Sequence, residues 1–370
     1  MEENLNNINE ENKENKFKFK IIILVILISV IIIILIIFLC LLLLTGGNYD
    51  ECEEGGEDKC LKCEKNKCIS CNYKYKLIDG KCKAMFSFRA IYRTEDYVEN
   101  VFFLNYYFKD TIIDLDIVGE GKVEPYSNYT FLFPGNHIVY ILIDITNLES
   151  LSNMFYEMEN MTSIFFSKEF DTKNIKYMSS MFSSCQKLTS INLSNLNTQN
   201  VVRKDELFKG CSSLISIDLS NISTKNLQRI DSMFYECSSL KYVNLSNFNA
   251  DHLWDMTWAF KGCSSLTSID LSSFNLREVS CMGYLFQDCT SLTSIDLSNF
   301  STGNVMFFDY MFKGCKNLQY IDISYFSYGH DTYYNEFCTS LPSSGIIKVS
   351  KSFFGIIHGY IPESWDIIFT

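Results

Sequence analysis

Histidine is scarce in this 370-residue chain, which holds only His137, His252, His330 and His358, each in a different segment. Catalytic dyads, triads and histidine-based metal sites need such groups brought together, and neither an HExxH motif nor a GxSxG elbow is present to supply one. Glycine motifs of the Walker and Rossmann type are missing as well, so the sequence offers no ready cradle for a nucleotide phosphate. Positive charge is also in deficit. A net charge of -12 repels a phosphate backbone and excludes nucleic acid as a partner. The sequence therefore predicts no enzyme, no cofactor and no metal.

What the chain does hold is unevenly distributed. Residues 21–44 form an uncharged apolar run of 24 residues, which as a helix would extend roughly 36 Å at about 1.5 Å per residue. A cleaved signal peptide has a shorter apolar stretch and a small-residue cleavage site, so the run reads as an uncleaved transmembrane signal anchor. Cys40 has Leu39 before it rather than a small residue, which argues against a lipoprotein cysteine. Lys13, Lys16, Lys18 and Lys20 precede the run and an acidic stretch from Asp50 to Asp58 comes after it. Lysine bias of this kind predicts a single-pass type II protein of the plasma membrane, with a disordered cytosolic tail over 1–20 and everything beyond the anchor extracellular.

Six cysteines, Cys52, Cys60, Cys63, Cys68, Cys71 and Cys82, fall within 50–83. A zinc ribbon wants its CxxC pairs farther apart than Cys63 and Cys68 allow, whereas an even count in an oxidising compartment predicts a small module with three disulfides. The run from Cys68 to Cys82 resembles the furin-like or growth-factor-like cysteine repeats of microbial surface proteins. Between 85 and 150, apolar and aromatic runs punctuated by turn residues predict a β-rich segment that caps the C-terminal half of the chain.

The strongest signal is a period. Phe182, Phe208, Phe234, Phe260, Phe286 and Phe312 recur every 26 residues, and Cys185, Cys211, Cys237, Cys263, Cys289 and Cys315 keep the same interval. Phe155 opens a degenerate unit with Met158 in the cysteine position, so seven units are expected over 151–328, with a C-terminal cap over 329–370. Within a unit, Leu214, Ile217 and Leu219 suggest a short strand, and Leu227, Ile230, Phe234 and Cys237 recur at helical spacing. The expected fold class is thus an α/β solenoid, a leucine-rich-repeat-like stack of one short strand and one short helix per 26-residue unit. Repeats such as MFKGCSSLTSIDLSSF resemble those of the BspA-like leucine-rich-repeat surface proteins. That resemblance implies a cell-surface role in adhesion, host contact or antigenic display.

Three groups of residues are candidates for function. The cysteine ladder reads as buried thiols rather than a redox or metal site, because Met158 replaces one of them. Asp270, Asp296 and Asp322 lie on a polar strand ribbon where stacked carboxylates could attract calcium, although the neighbouring serines and water suffice to screen them. Sequons at Asn128, Asn160, Asn192, Asn221, Asn244 and Asn299 are candidate glycosylation sites, chiefly Asn128, Asn160, Asn221 and Asn299. The contact surface itself is expected where the repeat leaves its own consensus. Glu206 and Ser232 give way to Trp258, Tyr284 and Tyr310, with Trp254 on the same face, and such a patch marks a site for an extracellular protein or glycan partner. A coat protein with no dedicated ligand is the alternative.

Overall fold

The computed structural model describes residues 86–370 apart from 97, 98, 125–127, 275, 330 and 331, and the backbone of four short strands between 60 and 84. The chain divides into one unit ending at Cys82 and another starting at Lys83. In the first, β1 (Cys60–Glu64) and β2 (Lys67–Cys71) pair antiparallel, and β3 (Tyr75–Ile78) pairs with β4 (Lys81–Ala84).

The second unit begins with an antiparallel sheet. β5 (Phe88–Thr94) alternates inward Phe88, Ala90, Tyr92 and Thr94 with more exposed Arg89, Ile91 and Arg93, as a half-buried strand should. It pairs with β10 (Gly135–Ile143) on one side and β11 (Met161–Phe166) on the other. β7 (Ile112–Ile117) and β8 (Gly121–Val123) extend the sheet beyond β10, and β6 (Glu99–Phe102) pairs separately with β9 (Asn128–Phe131). β11 then runs parallel to β12 (Ser190–Asn192), so the antiparallel sheet passes directly into a parallel ladder.

Farther along the rungs, parallel strands of three or four residues recur in two separate sheets, β13 (Ser216–Asp218) with β14 (Tyr242–Asn244), and β15 (Ser294–Asp296), β16 (Tyr320–Ile323), β17 (Ile346–Val349) and β18 (Asp366–Phe369), while the equivalent stretch 268–270 between them forms no strand. A second parallel ladder of single-residue bridges joins Ser150, Tyr177, Arg203, Arg229, Asp255, Cys281, Phe307 and Tyr333. Two ladders per rung connected by turns make a β-solenoid.

The expected helix of each unit is therefore not there. Leu227, Ile230, Phe234 and Cys237 keep their spacing because the chain between the ladders folds as consecutive turns. Within a rung, Met181, Ser183 and Cys185 donate to carbonyls three residues back, while Ser180, Phe182 and Ser184 donate instead to Asp205, Leu207 and Lys209 of the next rung. Ser180 and Ser184 take φ of 55° and 62°, a left-handed conformation that ends a helix whenever it begins. The α/β leucine-rich-repeat fold class is corrected accordingly. Among the described residues the α-helix present is α1 (Lys351–Ile357), which caps the last rungs by packing Phe353 against Phe308, Phe326 and Phe337.

Stacking buries a continuous core. Phe155, Phe182, Phe208, Phe234, Phe260, Phe286 and Phe312 form one column of near-parallel rings with centroids 5.3 to 5.9 Å apart. Cys338 takes the next place in that column, and Cys281 belongs to the bridge ladder.

Two further expectations are corrected. The apolar run at 21–44 lies outside the described residues, and among those described no helix is long and apolar enough to cross a membrane. Hydropathy counts apolar side chains but does not establish a helix, so the transmembrane anchor and the single-pass type II localisation are withdrawn. The three disulfides lose their premise with it, since an oxidising compartment was what favoured them over free thiols. The eight cysteines whose side chains are described are all free, and the side chains of Cys52, Cys60, Cys63, Cys68, Cys71 and Cys82 lie outside the described residues.

Candidate functional site

Each turn segment carries two left-handed residues, and the first of them changes from polar to aromatic along the repeat. Asn153, Ser180, Glu206, Ser232 and Glu336 fill it in five rungs, and Trp258, Tyr284 and Tyr310 fill it in three others, at φ of 58°, 61° and 58°. Bulky side chains are rare in this region of backbone space. The fold imposes the conformation on every rung but does not ask for an aromatic, because serine and glutamate meet the same demand.

The three aromatics stack on one another. Trp258 and Tyr284 are 5.5 Å apart and inclined by 38°, and Tyr284 and Tyr310 are 4.7 Å apart and nearly parallel. Trp258 remains 38% exposed, while Tyr284 and Tyr310 are half-buried. Burial raises the Tyr284 hydroxyl pKa above its ordinary value, and Tyr310 beside it adds to the effect. Lysines three residues along the chain line the stack. Lys261 lies 5.4 Å from the Tyr235 ring centre and 5.6 Å from that of Tyr284, and Lys313 lies 4.8 Å from Tyr310 while pairing with Glu336 at 2.6 Å. An ammonium over a ring face is attracted by about 0.5–1 kcal/mol at an exposed site, so these cations flank the stack.

Trp254 stands apart from this stack, because the absence of a helix removes the face it was expected to share with Trp258. It is 39% exposed and lies 5.1 Å from the Arg229 guanidinium. Arg229 in turn bonds Asp231 at 2.8 Å and reaches Asp255 at 3.2 Å, and Arg203 grips Asp205 through two bonds of 2.9 and 3.0 Å. Burial pushes the Asp205 carboxyl up, but its bonds to Arg203 and Ser179 outweigh that and hold it below the usual range. Asp231 goes the other way, since burial there is reinforced by the carboxylates of Asp255 and Asp205. Farther along the same bridge ladder the ions give way to Phe307 and Tyr333, stacked at 5.3 Å and 38% and 54% exposed. Sequence reasoning missed this pair, together with Tyr235 and Lys261. The signal was present: the bridge position reads Tyr, Arg, Arg, Asp, Cys, Phe and Tyr where the core columns hardly change.

The other candidates have structural duties. On the strand ribbon, the Asp218, Asp270, Asp296 and Asp322 carboxylates each accept the backbone N–H of the serine two residues on, at 2.8, 2.9, 2.9 and 3.2 Å. Asn192 and Asn244 make the same turn-closing bond, which is why Asp and Asn exchange there. No cluster of three or more potential metal ligands occurs among the described residues. Of the sequons, Asn221 is exposed, Asn128 starts β9, the Asn160 side-chain oxygen accepts from Lys187, and the Asn299 amide donates to Ser272 of the preceding rung. His137 stacks on Phe131, His252 faces Glu278 and His358 bonds the Gly355 carbonyl, so they do not converge; His330 lies outside the described residues.

A comparison with curated proteins returns no match. The pattern of one family, described as Mycoplasma protein of unknown function, DUF285, matches residues 149–268 and again 228–340. The two matches together span more than half of the chain and coincide with the rungs, and on that basis this chain belongs to the DUF285 family.

Proposed function

We propose that this chain is a recognition or adhesion protein that docks a macromolecular partner against the aromatic flank of its solenoid. The observation that carries the reading is the stack of Trp258, Tyr284 and Tyr310 at three successive left-handed positions. Each aromatic sits in backbone that disfavours it, at a cost of order 1 kcal/mol, and residues held in this way concentrate at functional sites. Tryptophan, tyrosine and arginine are also the side chains that dominate binding energy at interfaces. The likeness of the repeats to BspA-like surface proteins points the same way, toward binding without catalysis.

A polypeptide suits the flank better than a glycan. Tyr310 stacks on one face of Tyr284 and the tilted Trp258 ring leans toward it from the other side, so a sugar ring finds little flat platform there, whereas ring edges, hydroxyls and the Lys261 and Lys313 ammoniums remain available to polar and apolar groups of a protein. The test is saturable binding of the full chain to panels of immobilised polypeptides and glycans, repeated after changing Trp254, Trp258, Tyr284 and Tyr310 together to Ser or Gln. Binding lost with an unchanged thermal midpoint supports the site. Full binding by the variant, a collapsed midpoint, or no saturable partner on either panel contradicts it, the last outcome favouring a coat protein without a ligand.

A further inference from the structure

Lys204 lies fully buried in the third rung, in a column that other rungs fill with Met178, Ile230, Met256, Met282 and Phe308. Its ammonium nitrogen donates one hydrogen bond, to the Ser223 carbonyl at 3.0 Å. The charged and titratable groups around it are committed elsewhere. On its own rung Arg203 and Asp205 hold each other, on the next rung Arg229 holds Asp231, Tyr177 lies on the bridge ladder of the preceding rung, and Lys225 comes just after the loop that supplies Ser223. No ion pair to Lys204 occurs among the described residues. An ammonium here would be a buried charge with no counter-ion and with donors left over, an arrangement proteins avoid by releasing the proton.

We propose that Lys204 makes the third rung a pH-responsive element of the solenoid, tightening as the side chain gives up its proton and loosening when it is charged. This inference stands apart from the binding reading, although the rung concerned also carries Arg203, Asp205 and Glu206 at the ionic end of the flank. Burial lowers the Lys204 pKa from 10.5 to about 7. The unfolded chain therefore holds a proton that the folded chain has lost between about pH 7 and about pH 10, and stability rises with pH over that window. Below about pH 7 both states are charged and the full penalty of burying the charge remains.

The experiment compares unfolding equilibria of the full chain, wild type against Lys204→Met, at pH 6, 7.5 and 9. Methionine fills the same column in three other rungs, so the variant folds by precedent. Taking the difference between the two proteins cancels every other titrating group. The expected result is a variant more stable at pH 6, with the ratio of unfolding constants shrinking roughly tenfold per pH unit above about 7. Lys204→Arg, which cannot lose its proton, should remain less stable than Lys204→Met by the same gap at all three pH values, and should fall below wild type at pH 9. A wild-type gap that is equally constant with pH, or an arginine variant as stable as wild type at pH 9, overturns the proposal.

Discussion

The thiol of Cys211 points its hydrogen at the carbonyl of Phe182, 3.0 Å away on the preceding rung, and the same bond recurs from Cys185 to Cys315. Cysteine recurs because it is small, apolar enough for the core and still able to donate weakly to a backbone oxygen. Burial pushes the Cys211 and Cys315 thiols up to about 12, so at neutral pH they hold no reactive thiolate. The reading of the ladder as packing was legible from Met158 alone; the bond it makes was not, since it depends on the neighbouring rung. Beside each thiol stands a phenylalanine ring. Phe234 has ring neighbours at 5.6 and 5.5 Å on its two sides and is 1% exposed. Replacing it with Ala should cost roughly 3–5 kcal/mol through lost burial and the cavity left behind. A denaturant midpoint indistinguishable from wild type would contradict the stacked column.

At the scale of the element, the strand was readable, and the run of turns was mistaken for a helix. Alternating Leu214, Ile217 and Leu219 mark a chain with one face buried, and β13 lies among them. Three-and-four spacing is ambiguous, because consecutive turns with a left-handed residue every fourth position return side chains to the core at the same intervals. The second such position did carry a hint, as Gly210, Gly262 and Gly314 alternate there with Glu236 and Asp288. Strain at the first position yields its own prediction. Changing Trp258, Tyr284 and Tyr310 to Asn, which accepts left-handed backbone more readily, should lower stability by less than about 1 kcal/mol in all, because relieved strain offsets the lost ring contacts. Chemical denaturation measures this. A loss of several kcal/mol would mean that the aromatics serve the fold rather than a partner.

Across the whole molecule, each rung touches only its neighbours, so stability is collective and the ends need cover. The β10–β5–β11 sheet covers one end and α1 with Phe353 the other. The 26-residue period made the stacking of like units legible, because only stacked units keep Phe and Cys in register over so long a span, but it did not distinguish this β-solenoid from the α/β stack first expected. The partition of the surface was less so. The strand ribbon is uniform and its carboxylates are occupied in turns, whereas the turn flank passes from ion pairs at Arg203 and Arg229 to rings at Trp258, Tyr284, Tyr310, Phe307 and Tyr333. The proposed docking flank is this variable part of an otherwise invariant frame. The most direct measurement is oxidative footprinting of the full chain with and without its bound partner, read out residue by residue by mass spectrometry. The account predicts protection of Trp258, Tyr284 and Tyr310 with Tyr242 on the strand ribbon unchanged; protection of Tyr242 while the three aromatics stay as reactive as in the free protein would contradict it.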